Sequence, residues 1–271
     1  MKKSLTFKDQ YGDWALITGG SSGIGKSIAY EVARKGLNLI LVARGSETLS
    51  QTADEIKKFT GVQIKTIVAD LSKQEGIIGL ETQTKEFEIG LLVHSAGLEN
   101  NGFFPKNDLQ KELNLLQLNV ISTMTLSHIF SKRMIQKGRG GILLVSSVIG
   151  HMPSPYFANY AASKSYILNF GLSLHAELKS KGIDVSVLSP GVTQTPMSKK
   201  TGIDWTKSKV KIMSSDEVAL EAIEKFGKQV SIVPGKENRM LAFFAKHIFT
   251  FSKSAMMNEK FIRKTISQSK L

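Results

Sequence analysis

The sequence predicts an α/β fold, a single doubly wound domain with a parallel sheet of about seven strands and helices on both faces. Three observations carry this expectation. Short β-branched runs alternate with longer segments of helical character, the pattern of strands joined by crossover helices. Several runs are apolar throughout rather than at every second position, as strands covered on both faces are. A glycine-rich turn joins the first run to the first helical segment.

The strands are expected, in order, at Trp14 to Ile17, Leu37 to Val42, Val62 to Val68, Leu91 to His94, Gly141 to Ser146, Asp184 to Leu188 and Val230 to Val233. Between the later ones, Leu113 to Gln136 and Tyr160 to Ser180 each carry apolar residues three and four apart, which predicts two long helices. No internal repeat, low-complexity linker or composition break divides the chain, so one domain over residues 1–271 is expected. Its core would span residues 12–235.

Composition narrows the classes. With 41% hydrophobic residues in 271, the chain can bury a substantial core and is no disordered tail protein. The absence of cysteine excludes a disulfide scaffold, a thiolate metal site and a cysteine nucleophile. The formal charge of +13 is uneven: residues 1–198 carry +5 and residues 199–271 carry +8. Charges break any apolar stretch behind Met1-Lys2-Lys3, and no run approaches the roughly 20 apolar residues of a spanning helix. A cytoplasmic location is expected.

After the first strand comes Thr18-Gly19-Gly20-Ser21-Ser22-Gly23-Ile24-Gly25, leading into a helical stretch to Gly36. Glycines let the backbone approach a pyrophosphate, and the N–H groups that open a helix hold negative charge. Gly19, Ser21, Ser22, Gly23, Ile24 and Gly25 are therefore candidate cofactor contacts. The spacing is G-x-x-x-G-x-G rather than the common G-x-G-x-x-G.

The end of the second strand selects between the two nicotinamide dinucleotides, through an acid that binds a ribose hydroxyl or a base that binds a 2′-phosphate. Here it reads Val42-Ala43-Arg44-Gly45-Ser46, with no carboxylate before Glu47. Arg44 favours NADP(H). Asp70, closing the third strand, could accept a hydrogen bond from the adenine or cap the next helix.

Tyr160 is the only tyrosine with a lysine, Lys164, four residues on. The pair opens a long helix, and its spacing puts both side chains on one face. Thirteen residues upstream, Ser147 lies at the C-terminal end of the fifth strand, the edge at which open α/β sheets bind ligands.

In this order, the glycine turn, Ser147, Tyr160 and Lys164 resemble the short-chain dehydrogenase/reductase superfamily over about residues 12–235. The resemblance implies a Rossmann-type sheet of order 3-2-1-4-5-6-7 and a catalytic set of Ser147, Tyr160 and Lys164. Asn119, in Leu118-Asn119-Val120, would complete it by holding a water in a proton relay. It also implies cofactor contacts at Ala96, Gly97, Tyr160 and Lys164, and in the Pro190-Gly191 segment with Thr195. Residues 192–215 would form a substrate lid containing Trp205. Where the family commonly has Asn-Asn-Ala-Gly, this chain has His94-Ser95-Ala96-Gly97. His94 reads as a strand-end histidine satisfied by neighbouring backbone and is left out of the mechanism.

The resemblance implies an NADP(H)-dependent oxidoreductase that interconverts a carbonyl and a secondary alcohol. His151 to Phe157 supplies apolar and aromatic surface, which suits reduction of a lipophilic ketone or 3-oxoacyl thioester. The competing class is a non-catalytic nucleotide sensor whose basic tail binds lipid or nucleic acid. No helix-turn-helix, zinc-finger or RNA-binding motif supports nucleic acid. A homodimer or homotetramer is expected from the family. The basic amphipathic extension, residues 236–271, fits a peripheral membrane contact, a cover for the pocket or a subunit contact alike.

Overall fold

The computed structural model describes residues 5–205, 210–248, 250–267 and 270. Seven parallel strands form the central sheet in the order β3-β2-β1-β4-β5-β6-β9. They are β1 (Trp14–Thr18), β2 (Asn38–Ala43), β3 (Ile64–Val68), β4 (Ile89–His94), β5 (Gly140–Val145), β6 (Ile183–Leu188) and β9 (Ser231–Ile232). This is the expected order, with the seventh predicted strand cut to two residues. The reversal between β1 and β4 creates a crevice at the C-terminal ends of these two strands. The sequence did not signal a second, two-stranded sheet, β7 (Thr193–Gln194) with β8 (Met213–Ser214). Two-residue strands are too short for a periodic pattern.

Helices cover both faces: α2 (Gly23–Arg34), α3 (Ser46–Thr60) and α8 (Ser215–Lys225) on one, and α4 (Gln74–Gln83), α6 (Ser122–Lys137) and α7 (Ala158–Leu178) on the other. β4 and β5 are buried at every position, so their sequences carry no alternation. Two apolar clusters, one on each side of the sheet, follow from this double cover. A short helix, α1 (Phe7–Tyr11), precedes β1 and is closed by a reciprocal Thr6–Asp9 capping box. Its Tyr11 donates to Asp184 Oδ2 (2.8 Å) and packs against Phe226, 5.0 Å between ring centres.

The helix expected over Leu113 to Gln136 is α5 (Leu109–Leu116) running into α6 through a π-turn at Gln117–Ile121. A π-turn inserts a residue into the helical ladder and re-aims its side chain, frequently at a functional site. Here it carries Asn119.

The extension folds as two helices, α9 (Lys236–His247) and α10 (Phe251–Thr265), each packed on the body. Asn238, Ala242 and Ala245 turn inward from α9, and Ile262 and Ile266 join Phe157 and Ile203 in a third apolar cluster. An antiparallel bridge pairs Ile203 with Ile266.

Candidate active site

Three glycine positions shape the turn between β1 and α2. A Cβ on Gly25 would stand 2.2 Å from the Gly19 carbonyl oxygen, so no side chain fits there. Gly19 has φ 68°, and its Cβ would meet the Ala96 nitrogen at 2.9 Å. Thr195 packs on Gly23, its Cγ2 3.0 Å from where that glycine's Cβ would lie. The loops after β1, β4 and β6 thus converge within one van der Waals layer. Ser22 precedes α2 without capping it through its side chain, which leaves the opening N–H groups of the helix for an anion. Backbone cradle and helix terminus together fit a dinucleotide pyrophosphate.

The turn lines a cavity of ≈ 540 Å³ that also takes in Ser21, Ile24, Arg44, Asp70, Ala96 and Gly97. Arg44 is exposed at the end of β2. Asp70 does not cap α4, whose N-cap is Lys73. Instead its Oδ1 accepts from Ser72 N (3.0 Å) and Ser72 Oγ (2.7 Å) in an Asx-type turn. Burial pulls the Asp70 carboxyl upward, but the Ser72 bonds and the Arg44 charge outweigh it and leave it more acidic than usual.

The same cavity reaches Ser147, Tyr160, Lys164, Pro190, Gly191 and Thr195. Ser147 Oγ donates weakly to the Pro190 carbonyl (3.4 Å), and Val148 N donates to it at 2.9 Å, which ties the β5 loop to the Pro-Gly segment. Lys164 is 6% exposed, and its Nζ donates to Val145 O at 3.0 Å and lies 5.7 Å from the Tyr160 ring centre. Gly150 lets this loop touch α7, since a Cβ there would be 2.7 Å from the Lys164 carbonyl carbon.

Burial pushes the Tyr160 phenol well above its ordinary value, the Glu99 carboxylate adds to this, and the hydrogen bond with Ser147 opposes it. Burial lowers the Lys164 ammonium to about 8, against the pull of Glu99. A proton donor, a cation and a hydroxyl donor therefore converge at one point on the cavity wall.

Asn119 is a brace. Its Oδ1 accepts from Leu98 N (2.8 Å), and its Nδ2 donates to Leu98 O (2.9 Å) and Ser163 Oγ (3.0 Å). It joins the β4 loop to α7. His94 is satisfied by side chains rather than by the backbone expected of it: Nδ1 sits 2.9 Å from Thr18 Oγ1 and Nε2 2.9 Å from Ser122 Oγ. Burial first, then the Lys164 charge, drops its pKa to about 3, so it is neutral. Thr18 Oγ1 also accepts from Ser95 N and Ala96 N, binding the ends of β1 and β4 together.

Sequence reasoning missed one contribution, Glu99, and left another, the extension as a cover for the pocket, among three alternatives. Glu99, two residues beyond Gly97, lines the cavity, and only its place after the Ala96-Gly97 turn could have flagged it. Leu241, Asn258, Phe261 and Ile262 of the extension also line it, facing Phe157 and Trp205. Asn238 packs on Gly191, its Oδ1 2.3 Å from where a Cβ would stand, so α9 rests directly on the Pro-Gly segment. Of the expected lid, residues 206–209 lie outside the described residues.

Known proteins share this arrangement. The short chain dehydrogenase family pattern matches residues 13–204. A 7beta-hydroxysteroid dehydrogenase of Clostridium sardiniense is 30% identical over 235 residues, covering 87% of this chain and 90% of its own. A very-long-chain 3-oxoacyl-CoA reductase of Rattus norvegicus is 30% identical over 262 residues, covering 94% and 83%. Among solved structures, one described for 7beta-hydroxysteroid dehydrogenase stereoselectivity superposes with TM-score 0.85 at 26% identity, covering 94% of this chain and all of the other. A short-chain dehydrogenase from Sphingobium yanoikuyae in complex with NADPH gives 0.78 at 28% identity, covering 96% and 98%. Family pattern, relatives and sheet order agree: this chain belongs to the short-chain dehydrogenases, NAD(P)-binding oxidoreductases that interconvert alcohol and carbonyl groups.

Proposed function

We propose that the chain is an NADP(H)-dependent reductase of a lipophilic ketone or 3-oxoacyl thioester. The observation that carries this reading is a single cavity lined together by the glycine turn and Arg44, by Tyr160 and Ser147, and by Trp205, Leu241 and Phe261. Arg44, with Gly19 to Gly25 and the Pro190-Gly191 segment, would hold the cofactor, the guanidinium meeting a 2′-phosphate. The nicotinamide ring, when bound, supplies the hydride in reduction and accepts it in oxidation.

The protein's own residues manage the proton and the oxygen. Tyr160, kept protonated by burial, donates to the carbonyl oxygen as it becomes an alkoxide. Ser147 donates a hydrogen bond to the same oxygen, a contact that strengthens as charge develops there. Lys164, anchored on Val145 O, supplies the cation that makes a transient phenolate tolerable and reaches the cofactor ribose. Asn119 keeps α7 and the β4 loop in register with them.

Part of the apolar lining comes from the extension, and two of the relatives are named for steroid and very-long-chain acyl substrates. Residues 192–215 with α9 and α10 would act as the lid that excludes water once substrate is in place. On the surface, Leu109, Leu113, Leu116 and Met124 form an exposed apolar row along α5 and α6, suited to a second copy of the chain. On α9, Met240, Phe243 and Phe244 are exposed beside Lys236 and Lys246, a face suited to an anionic lipid surface. No described helix is long and apolar enough to cross a membrane.

The deciding experiment follows NADPH absorbance with a panel of steroid ketones, 3-oxoacyl thioesters and small polar carbonyls. Turnover on the first two groups, with NADPH preferred to NADH, is expected. Cofactor binding without turnover across the panel would favour the nucleotide-sensing alternative.

A further inference from the structure

One ionisable group in the cavity has no part in the mechanism above. Glu99 sits on the loop that leaves β4, directly after Leu98, whose N–H and carbonyl Asn119 clamps. That loop lies against α7, since a Cβ on Gly97 would stand 3.5 Å from Lys164 Nζ. The carboxylate lines the cavity, and its hydrogen bond comes from Asn101 Nδ2 at 3.5 Å, the outer limit of such a bond. The nearest tail cation does not compensate it directly: Lys270 Nζ donates instead to Asn101 Oδ1 (2.6 Å) and Thr201 O (2.9 Å).

A carboxylate partly removed from water with one weak donor among the described residues is costly unless its charge acts on something nearby. Tyr160 and Lys164 of α7 line the same cavity as Glu99, Asn101 donates to it from its own loop, and Lys270 of the tail is bonded to Asn101. We propose that Glu99 is a positioning residue for the reaction, an ionisable carboxyl that acts through Tyr160 and Lys164 by holding the tyrosine protonated and the lysine cationic, so that the proton donor persists into alkaline solution. Burial raises the Glu99 carboxyl to about 7, against Asn101, Lys270 and Lys164, so its charge changes within the range where the enzyme would work. The three groups then titrate as one coupled set.

The inference rests on the reductase reading, but its first test needs no substrate. In the full chain with NADPH bound, the ring-carbon NMR signal of Tyr160 is followed in tyrosine-labelled protein and assigned by its loss in Tyr160→Phe. In the wild type it should shift with a step near pH 7. In Glu99→Gln that step should vanish, and the later step from Lys164 should move to lower pH. Glu99→Asp, which keeps the charge at shorter reach, should retain a weaker step, and it serves where Glu99→Gln fails to bind NADPH. A Tyr160 signal that is flat through this range in the wild type, or a curve unchanged by the substitution, overturns the proposal and leaves the reductase reading standing. With any ketone that is turned over, the alkaline limb of kcat/KM for reduction should fall by about one pH unit in Glu99→Gln, the size expected when a like charge is removed from a buried acid. Failure of every ketone alongside an intact NMR step would strike the reductase reading alone.

Discussion

At the scale of single residues, Tyr160 bears the largest expected effect. Tyr160→Phe keeps the ring packed against Phe157 and removes only the hydroxyl, and with it the transferable proton. It should lose at least about 100-fold in kcat with cofactor affinity unchanged, the usual contribution of a general acid. Near-normal turnover would remove Tyr160 from the role. Arg44→Ala should raise the NADPH dissociation constant about tenfold or more and leave NADH binding nearly unchanged, as fluorescence titration would read. His94 gives a pH prediction. Its folded pKa, about 3, lies below the ordinary 6.5, so its contribution to stability is complete above pH 6.5 and is lost as pH falls towards 3. Denaturant midpoints measured from pH 7 down to pH 5 should therefore fall more steeply for the wild type than for His94→Asn, by on the order of 2 kcal/mol. Parallel slopes would mean that the imidazole is not buried neutral. Tyr160, Lys164 and Ser147 were legible because their chemistry and spacing are written in the chain; the Thr18–His94–Ser122 link was not, because residues from three separate segments meet only after folding.

Among the elements, β1, the glycine turn and α2 form the unit most fully specified by local sequence. Gly25→Ala would force a methyl into the Gly19 carbonyl, and the turn must open. Loss of about tenfold or more in cofactor affinity is expected, with the far-UV signal of the sheet retained; unchanged affinity would show that the turn can relax at no cost. The long helices α6 and α7 were legible from their apolar spacing, as was the continuous burial of β4 and β5. The π-turn at Gln117–Ile121 was not, because an inserted residue leaves no compositional mark, yet it sets the direction of Asn119. Asp70 is similar. Aspartate before a helix reads as a cap, but the Asx turn with Ser72 competes for the same oxygen and prevails.

For the whole molecule, the question raised by the basic extension has changed. Its residues 236–271 carry +6, and alone they read as lipid-binding, oligomeric or pocket-covering. Folded, α9 rests on Gly191 and residues of α9 and α10 line the cavity, so the extension is part of the cavity wall. A chain ending at Gly235 should retain its sheet and bind NADPH, yet show a KM for lipophilic substrate at least about tenfold higher, since one side of the pocket is opened to water. Unchanged KM would mean that the extension contributes no binding surface. Because truncation disturbs the pocket, lipid contact is better tested by Phe243→Ser with Phe244→Ser. Pelleting with vesicles containing anionic lipid should drop several-fold relative to the wild type, and equal pelleting would exclude that face.

The sequence by itself determined the class of fold and, through its resemblance, the strand order and the family, and it singled out the glycine turn with Ser147, Tyr160 and Lys164 as candidates, because these rest on local periodicity or on short motifs in a fixed order. Only the tertiary structure decided that Glu99 and Lys164 line one cavity and that Asn238, Leu241, Asn258, Phe261 and Ile262 of the extension complete its wall. The physical reason is distance along the chain. Contacts between Gly97 and Lys164, between Asn101 and Lys270, or between Gly191 and Asn238 leave no periodic signal, and their energies exist only once the sheet has brought those segments into van der Waals range.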